Sequence, residues 1–232
     1  MTILSQVTSL KESASLFASS YGANIAEEID KNSNLILHWL PYLERHKTGV
    51  ADELLRGATS SLMEGTACAA LGLVRPSLFA MRTQVDLILT WLFFKDHKVE
   101  WENVNSTGDG FKLKKEMFEY FTRYVMGFGE RYGILKQIAK RTETDTYRFL
   151  SAHIHSQSAT TLPEAKELSE VVRDFRTCQE LTVIAGAVDE YINDILTAIY
   201  IRDWVHLPVP LVSILNSRFT SDQQRAAFYK TI

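Results

Sequence analysis

The stretch "YRFLSAHIHSQS", residues 147–158, holds the side chains best suited to chemistry. Arg148 stands five residues before His153 and seven before His155. Histidine exchanges a proton near neutral pH. Arginine carries a permanent charge and can grip two oxygens of a phosphate. Together they suit a phosphodiester: the imidazole moves a proton while the guanidinium stabilises the charge developing on the phosphate. With 13 arginines and 6 histidines in the chain, composition alone yields about one accidental Arg-x(4–6)-His, so context has to lift the pattern. On an unbroken helix, positions seven apart share a face, whereas positions five apart are offset by about 140°. The helical wheel favours Arg148 with His155. A helix opening near residue 151 would instead let Arg148 fold back toward His153. Both histidines stay open.

Other groups in the chain also carry chemistry-capable side chains. His153-x-His155 is short of the three or four protein ligands that zinc takes, so no metal or other cofactor is expected. "KDHKVEWEN" gathers Asp96, His97, Glu100 and Glu102. That string reads either as an acid–base set or as a solvated turn. Asp86 lies in an apolar run and needs a partner, which Arg82, one turn earlier, can supply. The aromatics Phe118, Tyr120, Phe121, Tyr124, Phe128 and Tyr132 fall at spacings of three and four, as a core stripe does. Cys68 and Cys178 read as small buried residues in a reducing compartment. No phosphate-binding glycine loop, Gly-x-Ser-x-Gly or Cys–His nucleophile pattern is present in the sequence.

The elements that must position these residues read as helices. Apolar residues recur at helical spacing, with almost no strict alternation. The expected order begins with a helix over 10–38 that stops near Pro41. A second starts near Val50 and is rich in small residues, and Pro76 breaks or bends it. An apolar piece then covers 77–95, and "VNSTGDGF", residues 104–111, is a loop. A further helix spans 112–140, after which Thr144 or Asp145 caps the motif segment. "TLPE" opens a long helix, with Thr161 and Glu164 at capping-box spacing and Pro163 in the first turn. It runs to about Val205, and a short terminal helix begins near Thr220. The fold class is therefore all-α, a single bundle of about five to seven helices over residues 1–232.

Helix layout and motif together resemble the HEPN superfamily, whose members are helical bundles with Arg-x(4–6)-His before or on a late helix. The match spans about residues 50–205, leaving 206–232 as a C-terminal extension. "RPSLFAMRTQVDLILTWLFFKDH" is similar to the apolar second helix of such domains, and "YRFLSAHIH" resembles a bacterial HEPN-like subgroup. The resemblance implies a metal-independent endoribonuclease of the toxin or antiphage-defence kind. In it the 2′-hydroxyl of RNA attacks the adjacent phosphate, leaving a cyclic phosphate and a 5′-hydroxyl. Arg148 would stabilise charge and His153 or His155 would transfer the proton, in a site formed across a homodimer. The alternative is a HEPN-like interaction or regulatory module without chemistry, working with a protein partner or antitoxin in a larger defence complex. Phe149, where active members commonly carry a polar residue, favours that alternative.

Composition adds boundaries. A formal charge of −3 gives no global attraction to RNA, so an RNA site would need a local basic patch such as Lys136, Lys140, Arg141 and Arg148. The N-terminal "MTILSQVTSLKESASLFASS" does not have the pattern of a signal peptide. The strongest apolar run, Leu87–Phe94, is too short to span a bilayer. A cytoplasmic protein with no membrane association is the expectation.

Overall fold

The structure, a computed structural model, describes residues 2–141 and 145–230. It is all-helical, with no strand among the described residues. The chain divides into two compact units. Unit 1 comprises residues 1–34, 59–84 and 145–188, and unit 2 comprises residues 35–58, 85–144 and 189–232. In order, the α-helices are α1 (Ile3–Phe17), α2 (Ala23–Asn32), α3 (Asn34–Arg45), α4 (Glu53–Ala70), α5 (Val74–Phe94) and α6 (Lys98–Thr107). They continue with α7 (Lys114–Tyr124), α8 (Phe128–Gln137), α9 (Thr146–Ile154), α10 (Phe175–Tyr200), α11 (Val209–Arg218) and α12 (Asp222–Tyr229). The helical segments are shorter and more numerous than the five to seven expected. No helix is long and apolar enough to cross a membrane among the described residues.

The departures from expectation have local causes. Helix α3 continues through Pro41 instead of stopping there. A proline mid-helix removes one backbone hydrogen bond, but Trp39, Tyr42 and Leu43 around it are buried and hold the turn. Residues 104–107 of the expected loop belong to α6, which ends at Gly108 in a left-handed conformation, φ 77°. The expected helix over 112–140 is two helices, because Gly127, φ 71°, turns the chain between α7 and α8. "TLPE" does not open a helix. Residues 155–174 form an extended strap with two short 3-10 turns, Ala159–Thr161 and Leu168–Val171. Helix α10 starts at Phe175, where the Asp174 carboxylate accepts hydrogen bonds from the Thr177 amide at 3.1 Å and hydroxyl at 2.8 Å. The Thr161–Glu164 spacing mimicked a cap, but the apolar face needed to sustain a helix begins about ten residues later.

Unit 1 packs Ile25, Ile29, Leu78, Leu150, Cys178 and Leu181 in its core, each no more than 2% exposed. The turn between α4 and α5 closes in a Schellman motif. The Leu73 amide bonds to the Cys68 carbonyl at 2.8 Å, and the Gly72 amide to the Ala69 carbonyl at 2.9 Å. Gly72 has φ +80°, and an added Cβ there would lie 2.8 Å from the Val172 side chain of the strap. Only glycine fits, and its carbonyl accepts the Arg173 amide at 2.9 Å. This bond ties the strap to the turn.

Unit 2 is built on large aromatics. Trp39, Tyr42, Trp91, Phe94, Phe121 and Phe128 are each at most 1% exposed; of the aromatic series of α7 and α8, Phe121 and Phe128 are core, Phe118, Tyr120 and Tyr132 are half-buried around them, and Tyr124 is exposed. Polar groups of α10 are buried among them with specific partners. Asp189 accepts the amides of Leu35 (2.9 Å) and Ile36 (2.7 Å) at the start of α3. Asn193 accepts the Trp39 indole N–H at 2.9 Å. Asp194 takes Arg141 on one oxygen and Arg218 on the other, both at 2.6 Å.

Candidate functional site

Helix α9 carries the motif in unit 1. Asp145 is its N-cap, with the carboxylate accepting the Arg148 amide at 3.2 Å. Thr144, the other expected cap, lies outside the described residues. The helix is unbroken from Thr146 to Ile154, and His155 is its C-cap. It therefore starts well before residue 151, and the wheel applies: Arg148 and His153 diverge by about 140°, whereas Arg148 and His155 differ by about 20°. Arg148 and His155 are exposed, and His153 is half-buried.

Two arginines of α5 hold α9 in place. Arg75 and Arg82 are seven apart, hence on one face of α5. The Arg82 Nε donates to the Ser151 hydroxyl at 3.2 Å, and its guanidinium lies 3.5 Å from the Tyr147 ring centroid. Arg75 holds the other end. Its Nη2 donates to the Ile154 carbonyl (3.4 Å) and the Ser156 hydroxyl (3.0 Å), and its Nη1 to the Thr161 carbonyl (3.3 Å). Ser156 sits at φ 48°, a conformation unusual for a residue with a side chain; the bond from Arg75 helps stabilise it. Beside any pairing with Asp86 one turn along, Arg82 thus also reaches α9.

His153 faces a cavity of about 730 Å³ whose walls all belong to unit 1. Its ring contacts Phe149 at 4.8 Å between centroids. Burial, and secondarily the charge of Arg75, pushes its pKa below the ordinary imidazole value. The imidazole is thus neutral at pH 7, able to accept a proton but not to act as a fixed cation. Phe149, the departure noted in the motif, is the residue that covers it.

The remaining sequence candidates are structural or solvated. No group of three or more metal-ligating side chains occurs among the described residues, so His153 and His155 gain no third ligand there. Asp96 pairs with neighbouring Lys95 at 2.5 Å, and Glu102 lies 3.8 Å from Lys98, both on exposed positions. His97 stacks on Phe93 at 4.3 Å and contacts the Phe93 carbonyl through Nδ1 at 2.6 Å. Arg141, counted as part of a basic patch, is buried between Asp194 and Glu190 of unit 2. It offers nothing to a phosphate. Residues that sequence reasoning passed over are Arg75 and Arg173, which share the cavity wall with His153. The one signal for Arg75 was a charge inside the apolar "LGLVRPSLF".

Comparison with known proteins identifies no relative: no protein-family model, curated protein or solved structure gave a significant match to the chain.

Proposed function

We propose that the chain is a HEPN-like helical module that acts by binding a partner, in a regulatory or adaptor role, and does not itself cut RNA. The observation that carries this reading is the divergence along α9. Arg148 projects into solvent with no side-chain partner among the described residues, while His153 turns toward the cavity and packs on Phe149. A phosphoryl-transfer site needs both groups within reach of one phosphate, and five residues of continuous helix hold them apart. The burial of Arg141 removes a cation that an RNA-binding face would use.

A second reading rests on the other histidine. Arg148 and His155 are both exposed and lie on nearly one face of α9. A second copy of the chain could complete an Arg–His site across a homodimer, in the manner of the endoribonuclease that the resemblance implies. One experiment separates the two. Purified protein is incubated with mixed RNA in chelator, beside Arg148→Ala and His153→Ala/His155→Ala. The binding reading expects no cleavage that depends on these side chains. Chelator-resistant cleavage lost in both variants would overturn it in favour of the dimeric nuclease. Loss in His155→Ala but not His153→Ala would identify the acting histidine.

A further inference from the structure

We propose that the unit 1 cavity is a binding site for a small amphipathic carboxylate, an apolar chain or ring system bearing one acid group. The proposal is independent of the choice between the two readings above. At about 730 Å³ the cavity falls inside the range of about 300–1,000 Å³ typical of small-molecule sites. Its wall is largely apolar: Leu10 from α1, Leu73 from the α4–α5 turn, Pro76 and Leu78 from the start of α5, and Leu162 and Val171 from the strap. Such a wall takes up an apolar body through the hydrophobic effect.

Charge specifies the head group. The half-buried Arg75 on this wall hydrogen-bonds only neutral oxygens, those of Ile154, Ser156 and Thr161. No carboxylate pairs with it among the described residues. A cation withdrawn from water without a counter-charge is costly, and an anion entering the cavity would offset that cost. Arg173, also on the wall, has an exposed side chain that makes no side-chain hydrogen bond among the described residues, and its charge helps hold down the pKa of Glu170. The wall's own carboxylates do not pair with Arg75. Glu170 turns back to accept the amides of Lys166 (2.6 Å) and Glu167 (3.4 Å), which hold its pKa down. Glu164 is exposed. His153, neutral at pH 7, adds a hydrogen-bonding group without adding charge. A phosphate monoester would bring two charges to a site with one sequestered cation, so a monoanionic carboxylate matches better.

The test uses the full chain and three probes in isothermal titration calorimetry. Decanoate carries both tail and head, decanol only the tail, and acetate only the head. Saturable one-site binding of decanoate, about tenfold or more tighter than decanol, is expected from one charge-assisted contact, with no detectable binding of acetate. Ala14→Phe, which fills the cavity from α1, should abolish decanoate binding. Arg173→Gln should weaken it severalfold. Arg75→Gln should bring decanoate down to the affinity of decanol, provided circular dichroism shows that it folds. If Arg75→Gln does not fold, Ala14→Phe and Arg173→Gln decide alone. Equal affinity for decanoate and decanol, absence of saturable binding, or decanoate binding unchanged by Ala14→Phe would each overturn the proposal.

Discussion

Arginines are withdrawn from solvent in both units, fully in unit 2 and partly in unit 1, and on different terms. In unit 2, Arg141 and Arg218 close on the two oxygens of Asp194, with Glu190 on the flank at 3.6 and 3.3 Å. Arg131, 0% exposed, donates to the carbonyls of Ala198 (2.8 Å) and Met126 (2.7 Å). In unit 1, Arg75 hydrogen-bonds only neutral oxygens, and its guanidinium lies 5.2 Å from the Phe79 ring centroid. The charges of Arg141 and Arg218 are compensated within the protein and buried away from any ligand. Arg141 and Arg218 hold the fold through opposite charge, Arg131 through buried carbonyls, and the half-buried Arg75 keeps its charge at a cavity wall.

That contrast can be broken most forcefully at Asp194. Asp194→Ala strands two buried guanidiniums and should cost about 3–5 kcal/mol in denaturant unfolding. A loss under about 1 kcal/mol would mean that the pair is not buried as described. Asp189 tests unit 2 through pH. Burial raises its pKa from 3.8 to about 7, against the two α3 amides that favour the charged form. Between those values the folded state holds a proton that the unfolded chain has released, so stability should decline as pH rises from 4 to 7. Asp189→Asn should flatten that slope in urea titrations across the range. A smaller effect is expected for Arg75→Ala, because its bonds are only partly buried: about 1–2 kcal/mol. Hydrogen exchange should show the loss locally, as faster exchange in residues 154–161 than in α10. His153 gives the opposite pH sign from Asp189. Its pKa is lowered, so below its ordinary value of 6.5 the unfolded chain takes up the proton first and stability declines on acidification. His153→Gln should remove that component, while His155→Gln should leave it intact. Arg148→Ala should change stability by no more than about 0.5 kcal/mol, since its side chain is solvent-exposed.

The helical class was legible because period and composition report it directly. So was the core role of Phe121 and Phe128, whose spacing puts them on one stripe. Boundaries were less legible where a local signal competed with packing. Pro41 has the chemistry of a stop, yet buried Trp39 and Tyr42 carry α3 through it. Thr161 and Glu164 have the spacing of a cap with no helix behind it. At the site, the sequence singled out Arg148, His153 and His155 but could not divide them. The division depended on α9 starting at Thr146 and not near 151. Arg75 was hidden, because a lone charge in an apolar run looks the same whether it is paired, solvated or aimed into a cavity.

Sequence by itself determined that this is a helical protein, where most of its apolar faces lie, and which few side chains could handle a proton or a phosphate. These are properties of residue type and short-range spacing. Tertiary structure decided which charges are cancelled: Arg141 meets Asp194 across 53 positions, and Arg75 meets the strap across 86 at its farthest bond. The fate of a charge depends on the groups folded against it, which no local window of the chain contains.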